Sequence, residues 1–436
     1  MPRLKYQVPK YRLHKRSGQA VVTLDGRDVY LGKYGSDESR KAYDRVLVEW
    51  QAAGRQTILM HERGAATLID ELIVAYSEYA DSYYRKHGKP TTTRQHLREA
   101  LRPLHELYGA TAVRDFGPLR LKTLRRQMLD DGRWCRTTIN KHIGSIQRVF
   151  KWGVENELVP PHVYQGLQAV GGLKLGRTEA RETDPVRPVP EAYVKATLDQ
   201  LSPAVGTMVR LQILTGMRPG EVVLMRGTDL DTQGASWTYT PAVHKTEHHG
   251  RQRIIYLGPR AQDELAPWLK SDLQAYIFSP AQAEEQRNAQ RRADRATRIT
   301  PSQSNRQRNP NRVRPPGPRY SQNSYRRAIH RACDAAFPPP ARLARAKVRR
   351  QTGERWETTH EWRSRLGEAK WQELQAWRRE HRWSPNQLRH NAATHLRKQF
   401  GIEAARVVLG HSSAAVTEVY AEMDLAKAAD IMAKVG

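Results

Sequence analysis

Residues 171–193 read "GGLKLGRTEARETDPVRPVPEAY", and no single hydrophobic core can run through them. Glycine and proline punctuate the stretch and charge fills it, so neither a helical nor a strand period survives. The chain must build separate cores on either side. Its 436 residues agree, being more than one ordinary core fills and enough for two to four domains. We read 173–187 as a linker and 188–436 as a domain of its own.

Two further segments precede the linker. Within 1–62, short alternating runs predict strands at Tyr11–His14, Ala20–Leu24 and Val29–Leu31. Ser17-Gly18 and Asp25-Gly26 supply the hairpin turns. A helix follows, with Ser36 or Asp37 as N-cap and Gly54 as its stop. A sheet this small needs a helix over one face. Its other face, with Arg12, Lys15 and Arg16 nearby, suits a DNA groove. Residues 66–172 carry repeated helical stripes: Leu68, Leu72, Tyr76 and Tyr79, then Leu97, Leu101, Leu104 and Leu107, then Ile139, Ile143, Ile146 and Phe150. Thr137 or Thr138 is placed to cap the third helix. Lys141, Arg148 and Lys151 give that helix a basic face fit for phosphate contacts.

The charge balance narrows the partner. There are 73 Lys and Arg against 45 Asp and Glu, a formal charge of +28. Nucleic acid is the natural counterpart of such a surface. Cys135 and Cys333 are far apart and show no CxxC spacing, which excludes a disulfide framework and a zinc site and fits a reducing, cytoplasmic setting. No apolar run is long enough to cross a bilayer, and the basic start lacks the apolar core of a signal peptide. Two stretches of the second domain read as insertions. In 281–320 ten arginines stand against three acids, which predicts an exposed, mobile segment. Residues 341–383 are rich in Trp and Arg and more helical in pattern.

Three motifs in the second domain call for a joint explanation. In "LQILTGMRPGEVVL" a helix ends at Thr215-Gly216 and another starts at Pro219, with Arg218 between them. "WTYTPAVHKTEHHGRQRIIYL" reads as a hairpin with Lys245 near its turn. "SPNQLRHNAATHL" sets Arg389 early on a helix facing Leu388, Ala392, Ala393 and Leu396. Near the end, "LGHSSAAVTEVY" holds His411 and, nine residues on, Tyr420. Cleavage of a phosphodiester by a tyrosine needs a nucleophilic phenol and two guanidiniums on the non-bridging oxygens. It also needs a further donor to those oxygens and an acid for the departing 5′ oxygen. Tyr420, Arg218, Arg389, His411 and Lys245 supply that set. No cluster of metal ligands appears, and arginines can carry the electrostatics without one.

In order and spacing these motifs resemble the tyrosine recombinases, the phage integrase family. The resemblance runs over about 66–430, outside the Arg-rich insertions, and the N-terminal module is similar to an arm-type DNA-binding domain. It implies a mainly α fold with small β elements: an N-terminal three-stranded sheet plus helix, a helical core-binding domain, and a mixed, mostly helical catalytic domain. It further implies site-specific cutting and rejoining of double-stranded DNA at attachment sites, through a covalent 3′-phosphotyrosyl intermediate and without a cofactor. A homo-tetramer on synapsed DNA would act within the nucleoid, with room for an accessory directionality factor. One position departs from the pattern: the family usually has His three residues before the second Arg, where this chain has Asn386. Asn donates a hydrogen bond but carries no proton near neutral pH. Three other readings fit parts of the pattern: a catalytically silent DNA-binding relative, a type IB topoisomerase, and a non-enzymatic nucleic-acid binder.

Overall fold

The computed structural model describes residues 8–24, 27–52, 67–244, 247, 250, 252–298, 300–301, 315–350, 353–410 and 413–420. The chain forms two compact units, Met1–Asp184 and Pro185–Gly436. The fold is mainly α with small antiparallel sheets.

The first unit opens with β1 (Arg12–His14), β2 (Gln19–Leu24) and β3 (Arg27–Lys33), antiparallel in that order, with Arg12 opposite Val21 and Val22 opposite Val29. Helix α1 (Asp37–Ala52) closes one face, and Ala20, Val22, Leu24 and Leu31 pack with Tyr43 and Val46. Ser36 accepts a bond from the amide of Ser39 at 3.2 Å, so it supplies the N-terminal cap. The predicted turn at Asp25-Gly26 and stop at Gly54 lie outside the described residues.

Next come α2 (Ile69–Tyr83), the short hairpin β4 (Arg85–Lys86) and β5 (Lys89–Pro90), α3 (Thr93–Tyr108), α4 (Pro118–Asp130), α5 (Arg136–Glu155) and α6 (Pro161–Gln168). The predicted stripes form the core: Leu72, Tyr76, Leu101, Leu104, Ile139, Ile143, Ile146 and Phe150 are all buried. The cap of α5 is Cys135, not Thr137 or Thr138. Both threonine hydroxyls already lie within the first turn and reach the Cys135 sulfur, at 3.3 and 3.2 Å. Part of the predicted linker is anchored: the carbonyl of Leu173 accepts from Arg136 at 3.1 Å and from Asn140 at 3.0 Å.

The second unit begins with α7 (Glu191–Leu198), α8 (Pro203–Thr215) and the single turn α9 (Pro219–Val222). A three-stranded antiparallel sheet follows, β6 (Leu230–Asp231), β7 (Trp237–Tyr239) and β8 (Ile255–Leu257), then α10 (Pro259–Leu265). Further on are α11 (Pro280–Ala293), α12 (Gln322–Ala336), the hairpin β9 (Lys347–Arg350) and β10 (Gly353–Trp356), α13 (Thr359–His381), α14 (Pro385–Leu409) and α15 (Ala414–Tyr420). The core gathers Met208, Leu211, Met217, Val222, Tyr239, Leu257, Tyr325 and Leu388.

The Arg-rich insertion is exposed as expected but starts as a helix, and the Trp-rich one is helical over Thr359–His381 as its pattern suggested. The start of the Arg-rich segment is helical, because Ser279 and Pro280 begin α11 and a run of Ala, Gln, Glu and Arg continues it. No residue of α11 is buried, as the polar composition requires. Positions 302–314 lie outside the described residues. The Trp-rich insertion builds a small core of its own from Leu343, Trp362, Leu366 and Leu374.

Candidate active site

The first motif forms the predicted turn. Helix α8 ends at Gly216, whose φ of 65° is left-handed, and Arg218 sits immediately before α9. A Cβ at Gly216 would overlap Leu409 Cδ2 and lie 3.3 Å from Ala392 Cβ, so both conformation and space demand glycine there. Behind the turn, buried Gln212 donates to the carbonyl of Met217 at 2.9 Å and accepts from the Tyr325 hydroxyl at 2.9 Å. The turn is thus held by hydrogen bonds on its buried side.

Arg218 is partly buried, its side chain 22% exposed. Glu221 grips it twice: Oε2 accepts the Arg218 amide at 2.7 Å and Oε1 accepts Nη1 at 2.8 Å. The Glu221 side chain is almost fully buried. Its backbone carbonyl accepts the Tyr239 hydroxyl at 2.8 Å, and burial pushes that phenol well above its ordinary range.

Arg389, a helix-face arginine in the sequence, is completely buried. Its Nη1 donates to the carbonyl of Gly216 at 2.6 Å and its Nη2 to that of Leu409 at 2.8 Å. These two bonds fix the guanidinium plane between the first arginine's turn and the end of α14. A buried guanidinium on carbonyl dipoles at a helix C-terminus is a favourable arrangement. Asn386 lies one helical turn before Arg389, on the first turn of α14, and is exposed. His390 is buried, whereas His395 is exposed. The structure does not bring either histidine into the position of Asn386.

The hairpin around Lys245 is present, pairing Trp237 with Leu257 and Tyr239 with Ile255, but Lys245 lies outside the described residues. So does His411. Tyr420 is the last residue of α15, and its side chain lies outside the described set. The geometry therefore joins Arg218 and Arg389, and carries the chain to within two residues of His411.

Two residues of this pocket escaped the sequence reading: Glu221 and Arg253. Arg253 is only 5% exposed. Its Nη1 donates to the carbonyl of Val408 at 3.3 Å, and its Nε stands 3.6 Å from Glu221 Oε1. Burial lowers its pKa, the Glu221 charge raises it, and the charge of Arg218 lowers it again. Strand alternation carried the signal. Ile255 and Leu257 are buried while Ile254 and Tyr256 are exposed, so Arg253 falls on the inward face.

In the first unit, Lys141, Arg148 and Lys151 are exposed along one side of α5, with Lys151 3.6 Å from Glu155. Lys15 and Arg16 are exposed in the turn after β1. Arg12 instead pairs within its own sheet, with Asp28 at 3.1 Å and with Thr23. No group of three or more His, Cys, Asp or Glu able to hold a metal is found among the described residues. No helix among them is long and apolar enough to cross a membrane.

No protein-family model matches the sequence, and no curated protein matches it either. Solved structures do. A lambda integrase dimer bound to a COC′ core site superposes with a TM-score of 0.52 at 12% identity, covering 94% of each chain. A lambda integrase tetramer bound to a Holliday junction gives 0.51 at 11% identity, covering 97% of each. A Tn1549 transposon integrase fragment in complex with transposon right end DNA gives 0.53 at 14% identity, covering 84% of this chain and 99% of that one. With two arginines from distant segments closing on one turn, and α+β neighbours of this kind, the chain has the fold of the tyrosine recombinases.

Proposed function

We propose that the protein is a site-specific DNA recombinase that cuts and rejoins duplex DNA through Tyr420. The observation that carries this reading is the bond from Arg389 to the Gly216 carbonyl, two residues before Arg218. It unites two motifs that lie 173 positions apart, and the same guanidinium holds Leu409, two residues before His411. In the reaction, the Tyr420 phenolic oxygen attacks phosphorus and gives up its proton to solvent water, since Asn386 cannot take it. The bond to the 5′ oxygen breaks, and that oxygen leaves as a hydroxyl, with Lys245 as the acid. Arg218, Arg389 and His411 offset the charge that develops on the phosphate. Rejoining is the reverse, with the 5′ hydroxyl attacking the phosphotyrosine, so the bond energy is conserved and no cofactor is consumed. The arm-type module at 1–62 and the helical domain at 66–172 hold the duplex, Lys15, Arg16, Lys141, Arg148 and Lys151 meeting phosphates. By analogy with the lambda integrase tetramer on a Holliday junction, four copies act on paired duplexes.

A suicide substrate, in which the cleaved strand diffuses away, tests the reading. Wild type becomes covalently attached to DNA and Tyr420→Phe does not. A wild type that binds its site tightly yet never attaches is a silent relative, against which the retained Arg218, Arg389, Lys245, His411 and Tyr420 speak. Relaxation of supercoiled plasmids lacking any special site would make it a topoisomerase instead.

A further inference from the structure

Arg253 is a third arginine in the pocket, and its surroundings are unusual. It is buried, yet its Nε and Nη2 have no hydrogen-bond partner among the described residues. Its contacts join two parts of the site. On one side lies Glu221 Oε1, the same oxygen that accepts Nη1 of Arg218 at 2.8 Å. On the other lies the Val408 carbonyl, one residue before the carbonyl that holds Arg389. The fit is close: a Cβ on Gly410, whose φ is 65°, would stand 2.5 Å from Arg253 Nη1. One carboxylate thus serves two guanidiniums in a dry environment, where such contacts are strong and misplacement is costly.

We propose that Arg253 is a positioning residue: through Glu221 it fixes the guanidinium of Arg218, and through Val408 it fixes the end of α14 that leads to His411. This rests on the recombination reading for its kinetic consequence but not for its structural one. Arg253 does not contact DNA in this role. Its planar fork bridges Glu221 and Val408, which the point charge of a lysine cannot do from one position.

Full-length Arg253→Met and Arg253→Lys are compared with wild type by suicide-substrate trapping, DNA affinity and the guanidinium N–H resonances of Arg218, assigned by their loss in Arg218→Ala. In wild type the Glu221 grip keeps the Arg218 resonances protected from exchange. Arg253→Met is expected to bind DNA as wild type does, to trap it about 100-fold more slowly, and to lose that protection. Arg253→Lys, expected to fold even if the methionine variant does not, traps about 10-fold more slowly. The losses are not expected to multiply in full with that of Arg218→Ala, since the Glu221 route of Arg253 acts through that same guanidinium. Trapping at the wild-type rate in the lysine variant, or losses that multiply in full, would overturn the proposal. If wild type traps no DNA, the recombination reading fails, and the Arg218 resonances alone decide: protection that persists without Arg253 refutes the positioning role.

Discussion

Arg389 and Leu409 stand twenty positions apart on α14, yet Nη2 of one donates to the carbonyl of the other across 2.8 Å. An unbroken helix would separate them by about 30 Å. Gly401, with φ 85° and ψ 174°, breaks the helix and lets its last turns fold back on its first. Gly401→Ala forces a side chain into backbone space that only glycine visits freely. The substitution should cost about 1–3 kcal/mol in urea unfolding and slow DNA attachment more than DNA binding. Unchanged stability would show that the break is not required.

The two motif arginines should part company on truncation. Arg218→Ala removes a partly exposed group and should leave stability nearly intact while lowering cleavage about 10²–10³-fold. Arg389→Ala also strands the carbonyls of Gly216 and Leu409 in a buried place and leaves a cavity. It should lose about 2–4 kcal/mol of stability in addition. Equal stabilities for the two variants would contradict the burial difference.

Asn386→His restores an imidazole on the exposed first turn, one turn before Arg389. If a proton carrier there is what the chain lacks, single-turnover cleavage should rise at least about tenfold, with a new ionisation between pH 6 and 7 in the rate profile. A rate and profile identical to wild type would mean that another group already does this work.

On the proposed reading, binding should weaken steeply with salt, since the chain carries a net charge of +28. Arg148→Ala should reduce the slope of log affinity against log salt by about 0.9 without changing sequence preference. Lys151→Ala should reduce it less, because Glu155 already competes for that ammonium. A slope that does not respond to Arg148→Ala would remove α5 from the DNA face.

Cys135 is drawn down from its ordinary value of 9.0 to about 7, first by the Thr137 hydroxyl, then by that of Thr138 and nearby amides. Between pH 7 and 9 the unfolded chain therefore holds a proton that the folded chain has released. Stability should rise across that window and lose this increment as pH falls through 7. Denaturant midpoints of wild type should climb relative to Cys135→Ala from pH 7 to 9. Parallel curves would show that the thiolate is not stabilised.

Several elements could be read directly from the residues. The stripes of 66–172 announced its helices because every third or fourth residue is apolar, and most of those residues are buried, although Leu68 and Leu107 at the stripe ends are exposed. Thr215-Gly216-Met217-Arg218-Pro219 marked a helix end and a helix start. The burial of Arg389 was less visible, because an arginine on an amphipathic face usually reaches solvent. Gly401 was hidden too, since "GIEAARVVLG" continues a helical pattern and a single glycine does not announce a break. Arg253 lay among the charges of "HHGRQR", where only the strand alternation that follows separates it from its neighbours.

The Gly216 carbonyl waits for a guanidinium 173 positions downstream. A ribosome makes the first motif long before the second, so no nascent chain can hold the complete pocket. A product cut short between α6 and α14 would still carry Lys141, Arg148 and Lys151 but would lack Arg389, the fold-back and Tyr420. On the recombinase reading proposed above, such a truncated product would keep the basic face of α5 and lack the nucleophile, so synthesis itself would guard the genome in which the protein is made.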